Sequence, residues 1–267
     1  MTATVSDAWL VREQEQADRP QRLFALPYAG GGASTYRRWA ELLPGVEVVP
    51  VQLPGREERL QESAIADRRT LVTAIADALG PLTDRPYGIF GHSMGAKIAF
   101  ELARELRRRG APPPVGLFVS ACRAPHLPRI PTPPVASLPD HLFAAMLARI
   151  DGTPHELLED PAFMRTFLPT MRADFAVVDG YRYDDEAALR MPLVAFGGTQ
   201  DPEVRMQDLS AWRVHTTSRF RLVPLAGGHF VVSSRARDIV EAIASELAAA
   251  AAAGAPDVPL GAARPAR

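Results

Sequence analysis

Gly91-His92-Ser93-Met94-Gly95 is the stretch that decides the fold, because it joins two sequence patterns of different periodicity. An apolar run, residues 87–90, ends directly before it, and a helical pattern, residues 96–109, follows it. A serine on a sharp turn from a strand into a helix exposes its hydroxyl, and the flanking glycines are needed because a Cβ there would clash. The stretch therefore predicts a candidate nucleophile, Ser93, beside a helix N-terminus that suits a developing negative charge.

Length, charge and cysteine content limit the classes of protein to consider. The chain has 267 residues, enough for one α/β domain with an insertion, and its 30 Lys and Arg nearly balance 31 Asp and Glu. No apolar stretch approaches the roughly 18 residues of a membrane span, and the N-terminus lacks the apolar core of a signal peptide. The single cysteine, Cys122, excludes an intramolecular disulfide framework and is expected to be buried. We therefore expect a cytoplasmic protein that binds neither nucleic acid nor membrane.

Short apolar runs alternate with helical patterns along most of the chain. This alternation is typical of a parallel sheet with helices on both faces. The predicted strands are residues 22–26, 46–51, 87–90, 117–120, 193–196 and 220–224. In such sheets the ligand crevice lies at the carboxyl ends of the strands, so we expect functional residues in the loops that follow them.

The alternation breaks between the fourth and fifth predicted strands, where residues 123–191 pass with no convincing strand. This segment opens with a proline-rich stretch, residues 125–139, and continues with helical patterns at residues 140–149 and 161–178. A structureless loop of this length is improbable in a compact domain, so we expect a helical lid over the crevice.

The same elements define the domain organisation. Residues 1–20 are an N-terminal extension, residues 21–122 and 192–247 form the core, and residues 123–191 form the lid. The core ends with a helix predicted at residues 235–247. The remaining residues, 248–267, are rich in alanine and proline without apolar periodicity, and we expect them to be disordered.

A serine hydroxyl is a poor nucleophile until a base takes its proton, so Ser93 predicts a histidine oriented by a carboxylate. In folds with this turn the order along the chain is serine, acid, histidine. His229 lies in a glycine-rich turn after the last predicted strand, and Asp201 follows the fifth. Asp201 could instead cap a helix that starts near Pro202, and His229 could be an ordinary loop residue.

An oxyanion hole is the remaining requirement, and it takes the N–H after the nucleophile and one from a loop after an early strand. Met94 supplies the first. We assign the second to Ala29, in the glycine-rich loop after the first strand, with Tyr28 as the nearest alternative. A phosphate-binding role is the other interpretation of this loop, but it lacks both G-x-G-x-x-G and the Lys-Ser/Thr pair of a P-loop.

The other polar candidates predict no further chemistry. The remaining histidines show no metal-ligand spacing; they are His126, His141, His155 and His215, while His92 is expected to pack. Lys97 is interpreted only as a solvated residue on the helix after Ser93. The sequence therefore predicts no metal site and no cofactor.

Five motifs give the chain a family resemblance. They are Leu26-Pro-Tyr-Ala-Gly-Gly31, Gln52-Leu-Pro-Gly-Arg-Glu57, Gly91-His-Ser-Met-Gly95, Arg123-Ala-Pro125 and Gly227-Gly-His-Phe230. With them, the chain resembles the type II thioesterases, the free-standing thioesterases associated with polyketide synthases and nonribosomal peptide synthetases. The resemblance runs from about residue 20 to residue 247, and the first two motifs distinguish this family from generic esterases better than the third does.

The resemblance implies an α/β-hydrolase fold, a mostly parallel twisted sheet flanked by helices with an inserted helical lid. It implies hydrolysis of acyl groups from the phosphopantetheine arm of acyl or peptidyl carrier proteins, which clears stalled or mis-primed synthases. Mapped onto this sequence, the family's nucleophile, acid and base fall on Ser93, Asp201 and His229. The oxyanion amides fall on Ala29 and Met94.

The lid is expected to supply specificity. Its apolar residues could line an acyl channel or pack the lid onto the core; they include Leu142, Phe143, Met146, Phe163, Phe167 and Leu168. We name Tyr28, Phe143, Met146 and Phe167 as candidate substrate-binding residues. The acidic helices of a carrier protein would suit arginines such as Arg123, Arg129 or Arg149, and we expect a monomer.

Two other functions stay open at this point. One is a carboxylesterase or small-thioester hydrolase that needs no carrier protein. The other is a catalytically silent binding module with a hydrolase fold, against which the intact Ser93, Asp201 and His229 argue.

Overall fold

The computed structural model describes residues 8–13, 16–128, 134–150 and 158–254. Its strands are β1 Gln21–Leu26, β2 Val46–Pro50, β3 Tyr87–His92, β4 Gly116–Ser120, β5 Leu193–Gly198 and β6 Phe220–Leu225. They form one sheet in the order β2-β1-β3-β4-β5-β6, and every neighbouring pair is parallel. All six predicted strands are confirmed, with shifts of one or two residues at their ends.

Eight α-helices of four or more residues occur in these described ranges. They are α1 Trp39–Leu42, α2 Arg68–Leu79, α3 Met94–Arg108, α4 Asp140–Ile150, α5 Pro161–Asp179, α6 Met206–Ser210, α7 Val231–Ser234 and α8 Ala236–Gly254. Short 3-10 turns occur at Ala33–Tyr36, Glu57–Arg59, Gly80–Leu82, Val135–Ser137 and Ala211–His215. None of the described helices is long and apolar enough to cross a membrane.

The sheet is covered on both faces, as the alternating pattern predicts. Successive side chains of a strand point to opposite faces of its sheet. In β1, Phe24 packs in a buried cluster with residues of α2 and α3, whereas the adjacent Leu23 packs in a second cluster with Trp39 of α1 and Ile239 of α8. The two clusters are the two halves of the core, and the sheet lies between them.

The strand order places the ligand crevice. From β1 the chain passes to β2 on one side and then to β3 on the other, so the order reverses at β1. In open α/β sheets such a reversal opens a crevice at the carboxyl ends of the two strands involved. The loop after β1 and the turn after β3, which carries Ser93, lie at this edge.

The segment between β4 and β5 leaves the sheet and returns to the neighbouring position. It contains α4 and α5, which confirm the helical patterns predicted at residues 140–149 and 161–178. Phe143, Leu147 and Met171 form the centre of a small buried cluster, separate from the two halves of the core, that joins these helices. Residues 129–133 of the proline-rich stretch lie outside the described residues.

Two predictions near helix ends are wrong. No helix starts at Pro202: the Asp201 carboxylate accepts the N–H groups of Glu203 and Val204 in a turn, and the next helix, α6, begins only at Met206. The last helix does not end at residue 247 but continues to Gly254. Alanine has the highest helix propensity, so its run extends α8 without apolar periodicity. The disorder predicted for residues 255–267 falls outside the described residues.

Candidate active site

Ser93 occupies a strained turn between β3 and α3. Its φ of 53° and ψ of −113° lie outside the regions that residues with a side chain ordinarily adopt. The neighbouring glycines make the turn possible. A Cβ on Gly91 would lie 2.1 Å from the carbonyl oxygen of Gly95, and a Cβ on Gly95 would lie 2.4 Å from that of Leu26. The predicted clash is therefore confirmed, and the close approach locks Ser93 beside the end of β1.

His229 and Asp201 meet Ser93 at this edge of the sheet. The Nε2 atom of His229 lies 3.1 Å from the Oγ of Ser93, and its Nδ1 lies 2.8 Å from the Oδ2 of Asp201. An ionised carboxylate only accepts hydrogen bonds, so Nδ1 carries the proton and donates it to Asp201. In the neutral ring Nε2 is then an acceptor that faces the Ser93 hydroxyl. The structure thus brings together the three residues expected to form a triad.

Backbone groups fix the Asp201 carboxylate, whose side chain is fully buried. Its Oδ1 accepts the N–H of Glu203 at 2.8 Å and that of Val204 at 3.2 Å, which leaves Oδ2 for His229. The Asp201 and His229 loops also approach each other closely, because a Cβ on Gly198 would lie 2.1 Å from the carbonyl oxygen of Gly228. The acid and the base are therefore held in register by main-chain contacts.

Two main-chain amides are available for an oxyanion. Among the described residues, we find no protein acceptor for the N–H of Ala29 or for that of Met94. Both residues line a cavity together with Ser93 and His229. Met94 is the first residue of α3, whose N-terminus carries a partial positive charge. This arrangement can stabilise a negative oxygen that forms next to Ser93.

The cavity has a volume of about 730 Å³, in the range of small-molecule sites. One wall is apolar and comes largely from α4 and α5, through Leu147, Ile150, Phe167, Met171, Phe175 and Val178. Of the candidate substrate-binding residues, Tyr28 and Phe167 line the cavity. Phe143 and Met146 do not; they pack in the cluster between the two helices. For these two, the packing interpretation is the one that the structure supports.

His92 and Tyr28 pack next to the candidate triad. His92 is fully buried, and its Nδ1 lies 3.0 Å from the Oγ of Ser120. Burial, together with the nearby His229, holds the pKa of His92 well below its usual value, so its ring is neutral. The ring of Tyr28 meets those of His92 and Phe230 edge-on, with centroids 5.7 and 5.1 Å apart. The expectation that His92 packs is confirmed.

The interpretation of Lys97 as a solvated surface residue is wrong. It lines the cavity, and its Nζ lies 5.0 Å from the ring centroid of Tyr181. The signal was available in the sequence, because residues four apart share a helix face and Lys97 follows Ser93 by four positions.

Of the remaining histidines and arginines named from the sequence, Arg123 and His126 line the same cavity as Ser93. The Nδ1 of His126 lies 2.7 Å from the Nε2 of His215. Arg123 lies 3.5 Å from Asp208, and Arg149 is exposed. His155 and Arg129 lie outside the described residues. Within the ranges that are described, no group of three His, Cys, Asp or Glu side chains could hold a metal ion.

Comparison with known proteins shows the family to which the chain is similar. The model of the thioesterase domain matches residues 21–249. Over 243 residues, 90% of this chain and 92% of the relative, the chain is 40% identical to linear gramicidin dehydrogenase LgrE of Brevibacillus parabrevis. It is 39% identical to RedJ, the thioesterase of the prodiginine pathway of Streptomyces coelicolor, with a TM-score of 0.80 over 86% of this chain and 92% of that one. It is 36% identical to BorB, the type II thioesterase of the borrelidin cluster, with a TM-score of 0.83 over 92% and 100%.

Proposed function

This chain belongs to the thioesterase family, and from that premise we propose that it hydrolyses acyl groups from the phosphopantetheine arm of acyl or peptidyl carrier proteins. In this role it would edit polyketide synthases and nonribosomal peptide synthetases that are stalled or mis-primed. The observation that carries the proposal is the alignment of Ser93, His229 and Asp201 beside an apolar cavity. The thioesterases RedJ and BorB, both from biosynthetic pathways, support the substrate class.

The chemistry follows from the hydrogen bonds. His229 Nε2 takes the proton of Ser93 as Oγ attacks the thioester carbonyl, and Asp201 stabilises the imidazolium that forms. The C–S bond then breaks, and the pantetheine thiolate takes the proton from His229. Water attacks the acyl-enzyme with His229 again as base, which releases the free acid and restores Ser93. In both steps the amides of Ala29 and Met94 hold the oxyanion.

The segment that contains α4 and α5 acts as a lid. It supplies most of the apolar wall of the cavity, which is where the hydrocarbon part of an acyl chain would lie once the carbonyl is placed at Ser93. Tyr28 and Phe167 would contact the bound acyl group. Residues 123–191 would thus set which acyl groups the enzyme accepts, and residues 21–122 and 192–247 would supply the chemistry.

The partner in this proposal is a carrier-protein domain that presents its acylated arm, which implies a site of action in the cytoplasm beside the synthase. The enzyme acts as a monomer. Light scattering of the purified chain at micromolar concentration would test this, and a stable dimer would contradict it.

One relative is named as a dehydrogenase, but the site favours hydrolysis. Hydride transfer to a nicotinamide cofactor uses a glycine-rich turn of the form G-x-G-x-x-G after the first strand. The loop Tyr28-Ala29-Gly30-Gly31-Gly32 does not have this form, whereas a serine–histidine–acid arrangement is present.

Three substrates with the same acyl group separate this proposal from a carrier-independent hydrolase. Butyryl groups would be supplied on a carrier protein, on N-acetylcysteamine and on p-nitrophenol, and kcat/KM measured for each. We expect the carrier substrate to exceed the N-acetylcysteamine thioester by about tenfold or more, since remote binding energy raises kcat/KM. Equal values would favour the small-thioester hydrolase, and a fluorophosphonate that failed to label Ser93 would favour a silent binding module.

A further inference from the structure

A buried ion pair connects α5 to the loop that follows β2. Arg56 and Asp174 are only 5% and 2% exposed, although 118 positions separate them in the sequence. Their contact is bidentate, with Nη1 2.7 Å from Oδ2 and Nη2 2.8 Å from Oδ1. Two parallel charge-assisted hydrogen bonds of this kind fix both distance and orientation.

The same two side chains also hold the loop that carries the proposed oxyanion donor. Asp174 Oδ2 accepts the N–H of Gly30 at 2.7 Å, and Arg56 Nη1 donates to the carbonyl oxygen of Gly31 at 3.0 Å. Gly30 directly follows Ala29. One carboxylate and one guanidinium therefore define the path of the main chain on the C-terminal side of Ala29.

The loop that contains Gly30 packs tightly against α5. Gly30 has a φ of 79°, and a Cβ there would lie 2.2 Å from the sulfur of Met171 and 3.1 Å from the ring of Phe167. Beside Met171 in α5, the Oγ1 of Thr170 donates to the carbonyl oxygen of Gly55 at 2.7 Å, which ties the helix to the Arg56 loop as well. Helix and loops thus form one packed unit.

We propose that Asp174 and Arg56 are positioning residues, which set the orientation of the Ala29 N–H in the oxyanion hole and couple it to the position of α5. This inference rests on the proposed function, because it concerns the oxyanion hole of that mechanism. Since α5 belongs to the proposed lid, a displaced lid would take Asp174 away from Gly30 and loosen the loop. The hydrolase would then be competent only with α5 in place.

The positive charge of Arg56 is needed because Asp174 is buried next to the oxyanion hole. An isolated carboxylate near an oxyanion hole would oppose the developing negative charge, and Arg56 neutralises it. Without Arg56, Asp174 would remain buried and uncompensated. The oxygen of Asp174 is needed as an acceptor for Gly30, but its negative charge is not.

Two double variants separate the acceptor from the ion pair. R56M/D174N and R56M/D174L both remove the two charges, but only asparagine keeps an oxygen for the Gly30 N–H. The assay is hydrolysis of p-nitrophenyl butyrate, which needs the oxyanion hole but no carrier protein. Its outcome is therefore independent of the proposed carrier substrate.

We expect kcat of R56M/D174L to be about 100-fold below that of R56M/D174N, with similar KM, because small displacements of catalytic groups lower rates by this order. Butylboronic acid forms an adduct with the serine that places an oxygen in the oxyanion hole. Its affinity should therefore also be lower for R56M/D174L than for R56M/D174N. Single R56M should also have a lower kcat than R56M/D174N, since it leaves the carboxylate unpaired.

The control is R172M on the same helix. Arg172 pairs with the exposed Asp140, donates to the carbonyl oxygens of Ala136 and Leu138 and has no contact with the oxyanion loop. Its loss should therefore lower Tm but leave kcat and boronate affinity unchanged. Equal kcat and boronate affinity in the two double variants would overturn the positioning role. The role would also be overturned if kcat decreased in proportion to Tm in all variants, including R172M.

Discussion

The Nε2 atom of His229 lies 3.1 Å from the Oγ of Ser93, although 136 positions separate the two residues in the sequence. The contact exists because β3 and β6 are parallel and end at the same edge of the sheet. A base at hydrogen-bond distance from a hydroxyl is what nucleophilic catalysis by serine requires.

Replacing either residue should abolish this catalysis. For Ser93→Ala and His229→Ala we expect kcat on an acyl-carrier substrate to fall by about 10³-fold or more, and the double variant to be no worse than either single one. This non-additivity is expected because the two groups act as one unit. Steady-state rates of the three variants test it. Independent losses that multiply in the double variant would contradict a shared proton transfer.

Asp201→Asn should lower kcat without changing the fold. The side-chain amide would present an N–H₂ group where His229 Nδ1 now donates, which favours the wrong tautomer of the ring, and such a change costs about 10⁴-fold in a serine triad. The turn at Glu203 and Val204 should persist, because the remaining amide oxygen can accept their N–H groups. We would measure kcat and Tm together. Near-normal activity would remove Asp201 from the mechanism.

Gly95→Ala should damage both stability and activity. The new Cβ would lie 2.4 and 2.6 Å from the carbonyl oxygens of Leu26 and Pro27, which belong to backbone and cannot rotate away. We expect a loss of about 2 kcal/mol or more in the free energy of unfolding. Gly80→Ala is the matched control, because Gly80 has helical φ and ψ and no neighbour within 4 Å of its Cβ position. Urea unfolding of both variants tests the difference, and equal stabilities would contradict the close approach.

His215 should make the protein sensitive to mild acid. Burial, followed by the neighbouring His126 and Arg104, lowers the pKa of His215 to about 4, against about 6.5 in the unfolded chain. The unfolded state therefore binds this proton more readily. The stabilisation is fully present above pH 6.5 and is lost as the pH falls toward 4, by about 3 kcal/mol in total.

His215→Gln provides the comparison, since glutamine can keep a hydrogen bond to His126 without titrating. The free energy of unfolding would be measured between pH 7 and pH 4 for both proteins. A smaller decrease for the variant is expected. Identical decreases would show that other groups cause the acid sensitivity.

The sheet and the candidate triad could be predicted from sequence because their signals are local. Each strand is an apolar run, and Ser93, Asp201 and His229 all follow strand ends, so parallel pairing brings them to one edge. The strain at Ser93 was also predictable, because glycines are required on both sides of the turn.

Other features depend on contacts that no local pattern contains. Arg56 stands in a motif of the family resemblance, but its partner Asp174 is one of two acids in α5, and no local pattern distinguishes it from Asp179. Helical periodicity gave the apolar face of α4, but not which of its residues reach the cavity: Phe143 and Leu147 both pack in the cluster between the helices, and only Leu147 also lines the cavity. The continuation of α8 to Gly254 depends on alanine propensity, not on periodicity.

The most direct test is mass spectrometry of the enzyme during turnover. Butyryl-carrier protein would be mixed with the enzyme, quenched with acid within milliseconds and digested, and the peptide that contains Ser93 analysed. The account predicts a butyryl group on Ser93 that appears before free butyrate accumulates and is absent in Ser93→Ala. Hydrolysis of the thioester at a normal rate by Ser93→Ala, with no acyl group on Ser93 in the unmodified chain, would contradict it.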